Sequence, residues 1–204
     1  MTDKPLAIDM FCGLGGWTEG LLAEGYYVIG FDIERHVYGE HRYPAQLVIQ
    51  DVLSLHGSQF KGANLIVASP PCQGYSYRAM PWSRAKALPP PDNSLFEACF
   101  RIQQEACEAA GRHIPLVVEN VRGAQKWVGR ARARYGSFYL WGDVPALIPM
   151  LEIDSGTKVG GDWFSDPDSL CRHGSKSPAR KFASAMIAKI PLPLSRHIAR
   201  TFRP

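Results

Sequence analysis

The sequence predicts an α/β protein in which a mostly parallel sheet carries helices on both faces. Short apolar runs alternate with segments of helical spacing, the pattern of repeated strand–helix–strand units. A glycine-rich turn follows the first apolar run, and polar side chains follow several others. Of the 204 residues, 46% are hydrophobic and 21% are charged, so we expect one compact domain rather than a disordered chain.

The predicted elements follow one another in the order that such a sheet requires. The first strand leads into the turn Cys12–Gly16, and the first helix ends at Gly25. Strands are expected at Leu6–Phe11, Tyr27–Phe31, Leu47–Ile49, Leu65–Ala68 and Pro115–Val118, and helices at Trp17–Ala23 and residues 94–110.

Polar side chains stand where four of these strands end. Asp32 and Asp51 follow the second and third strands, and Cys72 and Glu119 follow the fourth and fifth. In parallel sheets, ligands bind beyond the carboxyl ends of the strands. The sequence therefore predicts a functional site at this edge of the sheet.

The formal net charge is +4, and the basic residues are concentrated in two segments. Thirteen of the 23 lysines and arginines lie in these segments, which contain no carboxylate. Such clustering suits a phosphate backbone, and it equally suits two solvated helix faces. The residues are Arg122, Lys126, Arg130, Arg132 and Arg134 in the first segment, and Arg172, Lys176, Arg180, Lys181, Lys189, Arg196, Arg200 and Arg203 in the second.

The five cysteines include no CxxC pair, and Cys171 with His173 supplies only two potential zinc ligands. A disulfide framework and a metal site are therefore not expected, and a reducing compartment is. No apolar stretch approaches the roughly 18 residues that span a membrane. The start of the sequence runs directly into a strand, so we expect no signal peptide. We expect a cytoplasmic protein that is not associated with membranes.

The glycine turn and two carboxylates together indicate a cofactor. Gly13, Gly15 and Gly16 permit positive φ and let a ligand lie against the backbone where the helix begins. Asp32 is placed to hold a ribose diol, and Asp51 to accept a hydrogen bond from an adenine amine. The three features predict a cofactor that contains adenosine, without specifying which one. Tight packing between strand and helix explains many such turns equally well.

Cys72 is the candidate nucleophile. Pro70 and Pro71 fix the backbone directly before it, as a precisely aimed nucleophile requires and a buried inert thiol does not. Glu119, at a neighbouring strand end, is placed to act as a proton donor or hydrogen-bond partner. The structural alternative for Glu119 is a helix cap or a salt bridge.

Several motifs in this order resemble those of the cytosine-5 DNA methyltransferases. Five segments spread over nearly the whole chain carry the resemblance. They are Asp9–Gly16 (DMFCGLGG), Ser69–Gln73 (SPPCQ), Glu119–Val121 (ENV), Gly129–Arg134 (GRARAR) and Ile190–Ser195 (IPLPLS).

The resemblance implies that the cofactor is S-adenosylmethionine and that the fold is the Rossmann-like fold of methyltransferases that use it. The methionine end would lie over Phe11–Gly16, the ribose on Asp32 and the adenine near Asp51. The implied cofactor-binding residues are Asp9, Phe11, Cys12, Gly13, Gly15, Gly16, Trp17, Asp32, Ile33, Asp51, Val52 and Pro70.

The resemblance also implies the reaction, methylation of carbon 5 of cytosine in double-stranded DNA, with the target base flipped out of the duplex. The Cys72 thiolate would add to carbon 6, and Glu119 would hold or protonate ring nitrogen 3. Arg134, supported by Arg132, would contact the base or the thiolate region and lower the cysteine pKa. The implied DNA-binding residues are Gln73, Ser76, Arg122, Lys126 and Arg130.

By the same resemblance, residues 1–142 form the catalytic and cofactor-binding core, 143–175 a shortened target-recognition segment, and 176–204 a C-terminal helix that returns to the core. In the short segment, Gly160–Phe164 contains an aromatic cluster that would wedge into DNA or plug the reduced lobe. We expect short or relaxed sequence specificity and salt-dependent affinity. We also expect a monomer of phage or prophage origin, acting in a bacterial host, with a protein partner that aids recognition as an open alternative.

The sequence departs from the family pattern at two matched positions. Arg130 stands where the family usually has Gln, and Ala188 stands near a usual Asn, whose cofactor contact Ser184 or Lys189 would then supply. Two other functions stay open. One is a catalytically weak or inactive DNA-binding regulator, and the other is an RNA cytosine-5 methyltransferase.

Overall fold

The computed structural model describes residues 4–76, 89–146 and 177–204, and a seven-stranded sheet forms its centre. The strand order is β5-β2-β1-β6-β7-β9-β8. The first five are parallel, whereas β9 runs antiparallel to β7 and β8 antiparallel to β9. The mostly parallel sheet is confirmed. The strands are β1 (Leu6–Met10), β2 (Tyr27–Asp32), β3 (Val37–Tyr38), β4 (His41–Arg42), β5 (Gln46–Ile49), β6 (Leu65–Ala68), β7 (Leu116–Asn120), β8 (Ala133–Tyr135) and β9 (Phe138–Gly142).

Five α-helices belong to the described residues, and they cover both faces of the sheet. Alternate residues of the central strands point to opposite faces and form two separate apolar clusters. One cluster packs Ile8 and Ile66 against α2, and the other packs Val67 and Val117 against α1 and α5. The helices are α1 (Gly16–Ala23), α2 (Ser94–Ala110), α3 (Gln125–Val128), α4 (Pro178–Ala188) and α5 (Leu192–Thr201).

Helix α1 lies against α5 with the two backbones in close contact. A Cβ atom on Gly16 would come within 2.3 Å of the Ile190 backbone nitrogen, and one on Gly20 within 2.5 Å of the Arg196 nitrogen. The prediction of positive φ is confirmed for Gly13 and Gly15 but is wrong for Gly16. Gly16 is needed because any side chain there would collide with the chain that enters α5.

Three basic residues of the C-terminal segment form ion pairs with acidic residues of α1 and its C-terminal end. Lys189 Nζ lies 2.5 Å from Glu19 Oε1, and Arg196 Nε and Arg200 Nε lie 2.7 and 2.9 Å from the two carboxylate oxygens of Glu24. The sequence shows a tail without carboxylates, but the fold supplies these partners from a segment about 170 positions away. Part of the second basic segment is therefore neutralised within the chain.

The structure differs from the predicted elements in three places. The first strand ends at Met10, because Phe11 has a φ of 58° and belongs to the turn. The hairpins β3–β4 and β8–β9 were not predicted. The segment 176–204 holds two helices rather than one, since Pro191 and Pro193 interrupt helical hydrogen bonding between α4 and α5. No helix within the described ranges has the length and apolar character needed to cross a membrane.

Candidate active site

The glycine turn after β1 has the backbone that the sequence predicts. Gly13 and Gly15 have φ values of 49° and 80°, and the Gly13 N–H donates to Asp32 Oδ2 at 2.9 Å. Phe11 is the one non-glycine residue with positive φ in the described part of the chain, a costly conformation that concentrates at functional sites. A Cβ atom on Gly13 would meet no heavy atom within 4 Å, so the space beside this turn is open.

Asp32, the last residue of β2, is held from three directions. Besides the Gly13 N–H, the Glu34 N–H donates to Oδ1 at 3.3 Å, and His36 Nε2 lies 3.5 Å from the same oxygen. Burial alone would raise the pKa of Asp32, but the bonds from His36 and the backbone hold the pKa below its usual value. In return, Asp32 raises the pKa of His36 against the opposing effect of burial. Asp32 is thus an ionised and oriented acceptor.

Apolar side chains accompany the two carboxylates. Ile33, directly after Asp32, is 70% exposed, and Leu53, near Asp51, is 45% exposed. Asp51 begins a short 3-10 helix by accepting the Leu53 N–H at 2.9 Å, and Val52 is buried in the core. Exposed apolar surface beside carboxylates is what a nucleoside needs, since its base is flat and apolar while its ribose carries donors.

A buried chain of hydrogen bonds lies beside the turn. Thr18 Oγ1 donates to Asp9 Oδ2 at 2.6 Å and lies 2.6 Å from the Tyr43 hydroxyl. Asp9 is 1% exposed, and its Oδ1 has no hydrogen-bond partner within the described ranges. Burial raises the pKa of Asp9 to about 7, and the nearby Asp32 contributes in the same direction. Near neutral pH this carboxyl group therefore carries its proton part of the time.

Replacing Asp9 with Asn is expected to remove a pH dependence of stability. A folded-state pKa of about 7 against an ordinary 3.8 means that the unfolded chain loses its proton first as pH rises. The free energy of unfolding of the native protein should therefore fall by about 4 kcal/mol between pH 4 and pH 8 relative to Asp9→Asn. Urea unfolding at several pH values measures the difference. Thr18→Val, which keeps the carboxyl, should keep the dependence, and parallel pH profiles for native protein and Asp9→Asn would contradict the assignment.

The loop after β6 carries Cys72 and is fixed on two sides. Trp17 Nε1 of α1 donates to Ser69 Oγ at 3.0 Å, and Asn120 Nδ2 of β7 donates to the Pro70 carbonyl at 3.0 Å. The Tyr75 N–H donates to the Cys72 carbonyl at 3.0 Å and closes a turn in which Cys72 is half-buried. The loop is thus attached to the glycine-turn helix and to the strand that carries Glu119.

The loop after β7 lies against the loop of Cys72. A Cβ atom on Gly123 would come within 2.1 Å of the Tyr75 carbonyl oxygen, so only glycine permits this approach. Glu119 is 6% exposed and lies within β7, next to Asn120. The structure therefore brings Cys72 and Glu119, 47 positions apart, onto adjoining segments at one edge of the sheet.

Two arginines of the Gly129–Arg134 motif lie on or next to β8, the edge strand of the same sheet. Arg134 in β8 pairs with Tyr139 of β9, which pairs with Asn120 of β7, so the three occupy one row across neighbouring strands. Two strand spacings place the Arg134 backbone roughly 10 Å from that of Asn120. Arg132, directly before β8, and Arg134 are both exposed.

The remaining predicted contacts differ in exposure. Cys12, Gly16 and Trp17 are buried in packing contacts, and burial raises the pKa of the Cys12 thiol. All predicted DNA-binding residues are exposed except Ser76, which is half-buried; the exposed ones are Gln73, Arg122, Lys126 and Arg130. The Gly160–Phe164 cluster and Cys171 lie outside the described residues. The four described cysteines form no disulfide bond with one another, and no cluster of metal ligands occurs in the parts of the chain that the structure describes.

Sequence reasoning missed the residues that hold the site together. Asn120, Thr18 and His36 each contact a predicted site residue, and Tyr43 contacts Thr18, yet none of the four carries a distinctive local signal. Only Asn120 could have been found, because it adjoins Glu119 in a recognisable motif. The others are visible only once the chain is folded.

Fold and site together define an α/β protein whose glycine turn and strand-end carboxylates lie at the edge of the sheet where such folds bind ligands. The chain belongs to the family of C-5 cytosine-specific DNA methylases, whose model matches residues 6–127, more than half of the sequence. The matched range includes the glycine turn, Cys72 and Glu119. It ends before Arg132, Arg134 and the C-terminal motif.

Solved structures resemble the chain over part of their length. One is named as a DNA modification methyltransferase encoded within an E. coli prophage, with 26% identity and a TM-score of 0.43 over 61% of this chain and 34% of that one. The Dnmt2 methyltransferase of S. pombe has 15% identity and a TM-score of 0.42, over 60% of this chain and 36% of that one. The Entamoeba histolytica methyltransferase EhMeth has 18% identity and a TM-score of 0.42, over 60% of this chain and 40% of that one. This chain thus spans two fifths of these proteins or less. None of the curated proteins matches it.

Proposed function

We propose that this protein transfers a methyl group from S-adenosylmethionine to carbon 5 of cytosine in DNA. The observation that carries the proposal is the attachment of the Cys72 loop to β7, the strand that contains Glu119, through the hydrogen bond from Asn120 to the Pro70 carbonyl. A buried structural cysteine has no need of this arrangement. The family of the chain supplies the reaction that uses both groups.

The residues of the glycine-turn edge fit an adenosyl cofactor. Open space beside Gly13 gives room for a ligand against the backbone, and the oriented carboxylate of Asp32 is a good acceptor for two ribose hydroxyls. Exposed Ile33 and Leu53 offer apolar surface for a purine, with Asp51 as acceptor for its amine. When bound, the cofactor supplies an electrophilic methyl group.

The chain's own groups would then make carbon 5 nucleophilic. The Cys72 thiolate adds to carbon 6 of the cytosine, and Glu119 protonates or hydrogen-bonds ring nitrogen 3, where the displaced electron pair collects. Carbon 5 takes the methyl group. Loss of the carbon 5 proton and elimination of the Cys72 sulfur restore the ring and release the enzyme. Arg134 on β8 and Arg132 directly before it would supply positive charge for the base or for the thiolate.

Double-stranded DNA is the proposed substrate, with the target base flipped out of the stack. Exposed Arg122 and Lys126 follow β7 on the segment that lies against the Cys72 loop, and exposed residues 130, 132 and 134 lie before and on β8. This placement suits contact with phosphates. We assign residues 1–142 to the core, 143–175 to target recognition and 176–204 to the returning C-terminal segment. The protein would act as a monomer.

Labelled S-adenosylmethionine, incubated with the full chain and either duplex DNA or tRNA, tests the proposal. Incorporation into DNA, with 5-methylcytosine as the product after nuclease digestion, is the expected result. Incorporation into tRNA alone would replace the proposal with an RNA cytosine methyltransferase. Cofactor binding without transfer to either substrate would replace it with a DNA-binding regulator. Bisulfite sequencing of the product DNA would then give the target context.

A further inference from the structure

Tyr75, three positions after Cys72, is a buried tyrosine that the proposed reaction does not use. The residue is 4% exposed, and its N–H donates to the Cys72 carbonyl at 3.0 Å. Its hydroxyl donates to Asn93 Oδ1 at 2.9 Å, across 18 positions of the chain. Tyr75 therefore connects the turn of the candidate nucleophile, through its backbone and its side chain, to the start of α2.

Asn93 makes this bond instead of the one that its position favours. It is the N-cap of α2, where an asparagine side chain ordinarily accepts an N–H of the first turn, but here it makes no such bond to the described helix. Asp92 accepts the Ser94 N–H at 2.8 Å. The Asn93 amide accepts from Tyr75 and donates to the Trp127 carbonyl at 3.4 Å. Departures from a local preference of this kind are expected at functional sites.

Residues 122–128, which follow β7, contact the same tyrosine. A Cβ atom on Gly123 would come within 2.1 Å of the Tyr75 carbonyl oxygen. Exposed Arg122 and Lys126 of this segment are the proposed DNA contacts. The tyrosine thus lies where the turn of the nucleophile, the start of α2 and the proposed DNA-contact segment meet.

We propose that Tyr75 is a positioning residue, whose hydroxyl holds the Cys72 sulfur in register with the segment that contacts DNA. This inference rests on the proposed function. Attack on carbon 6 needs the sulfur at a precise place, and a displacement of about 1 Å can cost about 100-fold in rate. Tyr75 acts only through the backbone of the turn and through Asn93, so removal of its hydroxyl should slow the reaction without weakening the binding of cofactor or DNA.

Tyr75→Phe, which keeps the ring and removes only the hydroxyl, tests the inference. We expect the single-turnover rate of methyl transfer to duplex DNA, at saturating cofactor and DNA, to fall by about 10- to 100-fold. The Kd values of S-adenosylhomocysteine and duplex DNA should stay within about twofold of those of the native protein. Asn93→Ala should cause a similar loss of rate, and the double variant should lose little more, because both changes break the same bond.

Two further variants separate positioning from a loss of stability. Tyr26→Phe removes another buried tyrosine hydroxyl, which donates to the Ala199 carbonyl at 3.1 Å. Tyr26 directly precedes β2 and so lies at the opposite edge of the sheet from the strand ends of the site. This variant should lower the Tm as much as Tyr75→Phe, by about 2 to 4 °C, and leave the transfer rate unchanged. Asn93→Asp keeps the acceptor for the Tyr75 hydroxyl and should keep the rate within about threefold of native.

Other results would overturn the inference. A native transfer rate in Tyr75→Phe would show that the hydroxyl does not position the thiol. Equal losses of rate in Tyr75→Phe and Tyr26→Phe would reduce its role to general stability, and a slow Asn93→Asp would assign the effect to the bond with Trp127. If the native protein transferred no methyl group to DNA, the proposed function would fail together with this inference, whereas transfer by the native protein with insensitive variants would remove this inference alone.

Discussion

Replacing Cys72 with Ala is expected to abolish methyl transfer, with a loss of about 10⁴-fold or more, while cofactor affinity stays unchanged. Without the sulfur, no adduct forms at carbon 6, so carbon 5 stays part of an unreactive aromatic ring. The side chain is half-buried in a turn closed by backbone hydrogen bonds, so its truncation should leave the fold intact. Rates of label incorporation and the Kd of S-adenosylhomocysteine measure the two effects.

Cys107→Ala is the matched control for this experiment. Cys107 is also a half-buried thiol, but it lies on α2, where its sulfur contacts the backbone of Ile114, away from the site. This variant should transfer methyl groups at close to the native rate.

A trapping experiment separates a missing nucleophile from a merely damaged loop. In DNA that contains 5-fluorocytosine, carbon 5 has no proton to lose, so the Cys72 adduct should persist through denaturation. Native protein and Cys107→Ala should form it, and Cys72→Ala should not. A denaturant-stable complex with Cys72→Ala would show that another residue is the nucleophile.

Replacing Gly20 with Ala is expected to destabilise the protein by about 2 kcal/mol or more, although alanine favours helices. A Cβ atom there would come within 2.2 Å of Ser195 Oγ and 2.5 Å of the Arg196 nitrogen, so α5 must move away from α1. The gain of about 1 kcal/mol in helix propensity is smaller than the cost of overpacking against a backbone. The displacement would also strain the Arg196–Glu24 ion pair. Thermal and urea unfolding measure the loss, about 4 to 8 °C in Tm.

Gly62→Ala provides the matched control, because a Cβ atom there meets nothing within 4 Å and the residue does not have positive φ. Its stability should change by no more than about 0.5 kcal/mol. Equal stability of Gly20→Ala and Gly62→Ala would mean that α1 and α5 are not in backbone contact. Loss of cofactor affinity in Gly20→Ala alone is a further expected consequence, since α1 begins at the glycine turn.

The features that could be predicted from the sequence are those that depend only on residues close together in the chain. Five apolar runs predicted the five parallel strands, and the bounds predicted for helix α2 are the observed ones. The positive φ of Gly13 and Gly15 followed from a turn that must reverse between strand and helix. Phe11 was wrongly predicted to lie in the first strand, because aromatic residues favour strands. The turn instead holds this residue in a left-handed conformation.

The short hairpins could not be predicted, for a physical reason. The β3–β4 segment mixes charged, aromatic and glycine residues without alternation, and its two-residue strands pair only with each other. Such a hairpin is marginal alone and depends on neighbouring contacts, here the packing of Tyr38 and His41 on Phe182 of α4. The position of Glu40 and Arg42 beside Leu14 of the glycine turn was therefore not predictable from the sequence.

The sequence by itself determined the class of fold, the glycine turn and the strand-end residues Asp32, Cys72 and Glu119, since these depend on local periodicity and local backbone freedom. The tertiary structure alone decided which side chains hold them. Asp9 meets Tyr43 through Thr18, and Asn120 reaches Pro70 across 50 positions. It also decided that Lys189, Arg196 and Arg200 serve the packing of α5 on α1. A contact between distant segments cannot be predicted from the sequence of either segment, because it forms only where folding brings their surfaces together.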